Sequence, residues 1–163
     1  MDNLVIFLAK YLIFIVVLMV FGAWFQAKAK IRWQLGLSVF LAIIVAIILG
    51  RLAAKLYFHP RPFITNGTVP LIAHGNDNSF PSDHTLVAAT LAAVVYFYHR
   101  RLGIILMVLA LLVGAGRVWA HVHWLIDITG GLIIGAFAGW AGYELAKRLG
   151  SKNQPTATDD KNP

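Results

Sequence analysis

The sequence predicts an all-α protein, an integral membrane bundle of about five transmembrane helices. Two observations carry this. Of 163 residues, 59% are hydrophobic, and a mean hydropathy of +0.72 is far above that of soluble domains. The apolar residues also fall in long runs separated by short basic clusters, the pattern of membrane spans and their cytoplasmic loops.

The spans are expected at about 3–25, 33–57, 83–99, 102–120 and 124–147, within one domain covering 1–150. The first run is too long for a signal-peptide core and has no basic leader, so it reads as a retained span. It holds Lys10 near one end, where a long side chain can snorkel to the interface. The third run is the shortest and reaches a helical start only if Pro81 to His84 belong to its first turn. The fifth carries Gly131, Gly135 and Gly139 at every fourth position, a small-residue seam for close packing. Whether that seam meets the same chain or a second copy is open, as is the oligomeric state. The polar segment 151–163 has no apolar periodicity and is expected to be a disordered cytoplasmic tail.

A formal charge of +7 does not point to nucleic acid. The cations gather at Lys28, Lys30 and Arg32, at Arg100 and Arg101, and at Lys147, Arg148 and Lys152. Placing these clusters inside puts the 58–83 and 117–123 segments on the outer face. The absence of cysteine excludes thiolate chemistry and disulfides. The 58–83 loop holds four of the six prolines and also Arg61, His74, Asp77, Ser82 and His84. A loop of that length is usually functional or disordered, and this content favours function.

Arg51, Lys55, Arg61 and Arg117 converge with several histidines toward one leaflet, which suggests a multiply charged anion such as phosphate. Only Asp77, Asp83 and Asp127 lie nearby, fewer hard oxygen ligands than two-metal chemistry requires. A mechanism without metal or cofactor is therefore expected. Asp127 follows His123 by four residues at the start of a helix, a spacing that shares one helix face. It can hold one imidazole nitrogen while the other attacks phosphorus; equally, the pair can simply tie the helix start. In Pro81-Ser82-Asp83-His84, Ser82 is a natural helix cap beside an anion-binding N-terminus. His84 can protonate a leaving oxygen or be an interfacial side chain. Arg61 between Pro60 and Pro62 offers a planar fork for two phosphate oxygens, whereas Arg51 suits interfacial snorkelling. His59, His74 and His121 show no comparable pattern and read as interfacial or supporting.

Together, Lys55 to Arg61-Pro62, then Pro81-Ser82-Asp83-His84, then Arg117-x5-His123-x3-Asp127 resemble the three signature motifs of the type 2 phosphatidic acid phosphatase family, over about residues 51 to 131. The resemblance implies an acid phosphatase/haloperoxidase-like helical core with the site at its outer end. It implies that Lys55, Arg61, Ser82 and Arg117 bind phosphate, that His123 is the nucleophile, that Asp127 orients it and that His84 is the general acid. The Pro-Ser-Asp-His variant is similar to the bacterial undecaprenyl-diphosphatase branch. The chain departs from the family pattern at three places. Lys55 leaves five residues before Arg61 where six are usual, Asp83 stands where glycine is usual, and Gly116 replaces a serine before Arg117. The implied substrate is a lipid phosphate or diphosphate drawn from the membrane, a polyprenyl diphosphate first. Phosphatidic acid, phosphatidylglycerol phosphate and a lipid A phosphate are the alternatives within enzymes, and an anion or lipid transporter without hydrolysis is the alternative outside them.

Overall fold

The computed structural model describes residues 1–152, so the expected tail at 151–163 falls outside it beyond two final helical positions. Its helices are α1 (Asp2–Gln26), α2 (Ala29–Leu56), α3 (Pro62–Asn66), α4 (Asp83–Tyr98), α5 (Arg100–Trp119) and α6 (Leu125–Lys152). Four of these are long and apolar enough to cross a membrane. The fifth apolar helix, α4, has 16 residues and is shorter. Four of the five expected spans coincide with these long helices, and the third coincides with the shorter α4. Helix α4 packs against α1, α2, α5 and α6, and Leu86, Ala88, Ala89, Ala92, Val94 and Val95 on it are buried. Phe14, Leu18, Phe40, Ile48, Ile105 and Phe137 are exposed on the outside of the bundle, as a hydrocarbon solvent requires.

The glycine seam is intramolecular. A Cβ on Gly135 would lie 2.5 Å from the Leu86 carbonyl oxygen, and one on Gly139 would lie 2.7 Å from that of Thr90. The absence of side chains at these positions lets α6 and α4 touch backbone to backbone. On another face of α6, Gly142 does the same against Ala42 of α2.

The turn joining α1 to α2 lies beside the turn joining α4 to α5, both lining a cavity with Gln26, Ala27, Tyr98 and His99. Arg32 closes the first turn by donating to the carbonyls of Phe25 and Ala27. Gly150 near the end of α6 approaches Gln34. All three basic clusters therefore share one end of the bundle, and the 58–83 segment, with α3, covers the other.

Helix α1 contains an unexpected element. Residues Phe7–Tyr11 form a π turn, with the Leu12 N–H bonded to the Phe7 carbonyl. The sequence gives no sign of it, because apolar composition is the same for an α and a π turn.

Candidate active site

The Arg117-x5-His123 spacing has a local structural cause. Helix α5 ends in a paired terminus in which the Val122 N–H donates to the Arg117 carbonyl and the His121 N–H to that of Val118. His121 is left-handed, with φ 59°, the geometry of this helix ending. The chain reverses there and brings His123 back onto the Arg117 side chain. Helix α6 then starts with Asp127 accepting from the Trp124 N–H at 2.8 Å, half of a capping box. One carboxylate thus caps the helix and faces the histidine.

Around His123 the groups are tightly placed. Its Nε2 lies 3.2 Å from Arg117 Nη2 and 3.4 Å from Arg61 Nη1, and its Nδ1 lies 3.4 Å from Asp127 Oδ2. A guanidinium has donors and no acceptor. Nε2 therefore bears the lone pair, and the ring proton sits on Nδ1 facing the carboxylate. Burial pushes His123 below the ordinary histidine range; the Asp127 hydrogen bond opposes this, and the Arg117 and Arg61 charges reinforce it. The resting state is a neutral imidazole with its nucleophilic nitrogen turned toward two cations.

Arg61 and Arg117 are each 3% exposed. Arg61 donates to the Val122 carbonyl and Asp77 Oδ1, both at 2.9 Å, and to the Asn78 carbonyl at 3.3 Å. Asp77 itself is 69% exposed. Burial raises its carboxyl, but the hydrogen bond and charge of Arg61 outweigh that and hold it below the usual carboxylate range. Arg117 reaches the Ala9 carbonyl at 3.4 Å, and its Nε is buried with no hydrogen-bond partner. A buried donor left open in this way suits an incoming anionic oxygen.

The second motif lies against the third. The Ser82 N–H donates to the Asp127 carbonyl at 3.1 Å. Ser82 occupies the N-cap position of α4 but makes no side-chain cap. Its fully buried oxygen instead accepts from the Thr85 hydroxyl at 3.2 Å, leaving its own proton for another acceptor. This corrects the expectation of an ordinary serine cap. His84 lines a cavity of about 420 Å³ with His74, Arg117 and Lys10. Asp83 is exposed and faces a different cavity, with Gly50, Arg51 and Ala54. It therefore adds no carboxylate to the lining of the His84 cavity.

Lys55 is not gathered into this cluster. The buried stripe of α2 runs Ser38, Ala42, Ala46, Gly50, and its next member is Ala54. Lys55 falls one position off that stripe, is exposed and makes no ion pair among the described residues. Gly116 also has a positive reason to be glycine, since a Cβ there would lie 2.7 Å from Ala9 N and 2.8 Å from Leu8 C. What the family pattern presents as a missing serine is the place where the π turn of α1 docks.

Three participants carried no pattern in the sequence. His59 Nδ1 lies 2.9 Å from Asp127 Oδ1, closer than His123 does, so the carboxylate is held from both sides. Asn78 ties the loop to α2, donating to the carbonyls of Ala54 and Tyr57 and accepting from the His59 and Phe80 N–H groups. His74 meets His123 edge-on, ring centroids 5.9 Å apart. Burial, then the charges of Arg61, Arg117 and His123, push it down to about 4. Among the described residues no group of His, Asp and Glu is arranged to hold a metal ion.

Known proteins resemble the chain over most of its length. The bacitracin transport permease protein BcrC of Bacillus licheniformis is 34% identical over 139 residues, covering 85% of this chain and 68% of that one. The undecaprenyl-diphosphatase BcrC of Bacillus subtilis (strain 168) is 29% identical over 149 residues, covering 91% and 77%. Among solved structures, Aquifex aeolicus LpxE superposes with a TM-score of 0.68 at 26% identity, covering 87% of this chain and 82% of that one. The family model of the PAP2 superfamily matches residues 33–151, which include all three motifs and the groups around His123, and the chain belongs to that superfamily.

Proposed function

We propose that this multi-pass membrane protein is a lipid phosphatase that hydrolyses a polyprenyl diphosphate, undecaprenyl diphosphate first among them, to the monophosphate and inorganic phosphate. The observation that carries this is the placement of His123, with Nδ1 3.4 Å from Asp127 Oδ2 and Nε2 facing Arg61 and Arg117. The lipid tail stays in the bilayer while the head enters the cation cluster. His123 Nε2 attacks the terminal phosphorus, and the bond from that phosphorus to the bridging oxygen breaks. His84 gives its proton to the departing lipid monophosphate, and Asp127 stabilises the imidazolium of the phosphohistidine. Water, deprotonated by His84, then attacks that phosphorus and frees Nε2 and inorganic phosphate. Arg61, Arg117 and the Ser82 hydroxyl carry the charge on the phosphoryl oxygens, where preorganised donors contribute most. That the site lies at the end opposite the basic clusters supports a location on the outer face. The polyprenyl substrate is supported by the name of the Bacillus subtilis relative.

Purified wild type and His123→Ala should be given undecaprenyl diphosphate, phosphatidic acid, phosphatidylglycerol phosphate and a lipid A phosphate side by side. The expected result is fastest phosphate release from the diphosphate and a loss on the order of 10³-fold or more in the variant. A faster monoester would reassign the substrate, and near-normal release by the variant would end the mechanism. The permease name of the Bacillus licheniformis relative supports a transport reading. That reading predicts flux of a bound anion or lipid with no phosphate released from any of the four.

A further inference from the structure

The cavity beside the nucleophile has a lining that the reaction above does not fully use. It is formed by Ile6 and Lys10 from α1, by Leu71, Ile72, Ala73 and His74 from the outer loop, and by His84 and Arg117. Two permanent cations and two histidines face it, and no carboxylate does. Lys10 forms no ion pair with a carboxylate among the described residues; its ammonium lies 5.4 Å from the Tyr11 ring centre. The apolar members come from the loop and from α1, the same elements that carry His74 and Lys10, so the lining mixes anion-receptive groups with hydrocarbon.

Lys10 is placed there by the π turn. That turn packs against Gly116 at a distance that permits no side chain, and the Ala9 carbonyl accepts from Arg117 Nη1. Ala9 itself is buried. The residue next to Lys10 is thus fixed to the same guanidinium that faces His123 Nε2. Such π turns are single insertions found often at functional sites. Simple snorkelling explains neither the fixed register nor the shared cavity.

Resting on the hydrolase reading, we propose that Lys10 binds the second phosphate of a diphosphate substrate, the one that stays on the lipid, and so makes the site prefer diphosphates to monoesters. Arg61 and Arg117 match the charge of the phosphoryl group that is transferred. A diphosphate carries one further phosphate, and Lys10, across Arg117 from His123, supplies the third cation for it. Charge on the bridging oxygen grows as that bond breaks, so the lysine also aids the leaving group.

The test compares wild type, Lys10→Met and Lys10→Arg with farnesyl diphosphate and farnesyl monophosphate, which share one tail. Lys10→Met should lower kcat/KM for the diphosphate by on the order of 10- to 100-fold, the range for a hydrogen bond to a charged group. It should change the monophosphate by less than about threefold, and Lys10→Arg should recover most of the loss. Equal losses on both substrates, or no loss on either, would overturn the proposal. A second arm measures thermal stabilisation of the detergent-solubilised protein by inorganic pyrophosphate and by orthophosphate. Lys10→Met should weaken the pyrophosphate effect alone, and an unchanged pyrophosphate effect sinks the assignment. If wild type hydrolyses neither lipid, the hydrolase reading fails, while this binding arm still decides whether Lys10 holds a second phosphate.

Discussion

The seam between α4 and α6 and the layer above it use the same two helices under opposite rules. In the seam, glycine and alanine remove side chains so that backbones meet, and nothing polar is asked of it beyond Thr90, whose hydroxyl donates to the Leu86 carbonyl. One turn further out, the same helices hold Ser82 and Asp127, joined by a backbone hydrogen bond at 3.1 Å, under two nearly buried arginines. Close packing below therefore sets the register of the charged layer above. The proposed chemistry lies in the charged layer, and the close packing of the seam holds the two helices that carry it.

The strongest way to break that dependence is to force the seam apart. Gly135→Val places methyl groups where a Cβ already meets the Leu86 carbonyl oxygen at 2.5 Å and Ala89 Cβ at 2.8 Å. Backbone cannot yield as a flexible side chain would, so the cost should be on the order of 1–3 kcal/mol or more. The variant should lose nearly all phosphatase activity and show a lower melting temperature in detergent, although it lies far from any reacting atom. Full activity with an unchanged melting temperature would mean that the two layers are independent.

A milder change sharpens the comparison inside the outer layer. His59 holds Asp127 Oδ1 while His123 and the Trp124 N–H share Oδ2. His59→Phe keeps a ring but removes that donor, leaving the carboxylate freer to rotate. The expected loss is roughly tenfold in kcat, about 1.4 kcal/mol, with KM little changed and stability close to wild type. The acid limb of the pH–rate profile should also move, because a carboxylate free to rotate changes its hydrogen bond to His123. A KM effect without a kcat effect would place His59 in substrate contact instead of behind Asp127.

The two layers also differ in how far the sequence exposed them. Hydropathy located every long helix, because a span must be apolar over its whole length, and the four-residue glycine repeat marked the seam. The third motif was legible because His123, just before the Trp124 cap, and Asp127, in the first turn of α6, stand four residues apart, and a helix ending joins them to Arg117. Lys55 was not: the family resemblance implied it although only five residues separate it from Arg61 where six are usual, and the buried stripe of α2 passes through Ala54 instead. His59 and Asn78 were invisible for another reason. Their partners lie 68 and 24 residues away at the farthest, and such contacts leave no periodicity. The π turn depends on its fit to Gly116, a position that in sequence reads only as a departure from a motif.

The smallest expected effect concerns protons in the outer layer. His74, outside the spans, is pushed from 6.5 to about 4, first by burial and then by the Arg61, Arg117 and His123 charges; His123 is shifted in the same direction. Between about 4 and 6.5 the unfolded chain therefore binds a proton on His74 that the folded chain does not, and His123 adds to the effect in the same direction. By linkage, stability rises with pH across that window and is lost as pH falls through it. Melting temperatures in detergent should be flat above about pH 7, where the His74 and His123 rings are neutral in both states, and should fall steadily toward pH 4. His74→Gln removes one of the two rings and should make that slope shallower. An equal slope in the variant would show that His74 takes up its proton as readily folded as unfolded, and that the cation layer does not reach it. Because the seam has no titrating group, Gly135→Ala should lower the whole curve without altering its slope, which separates the two layers by their response to acid.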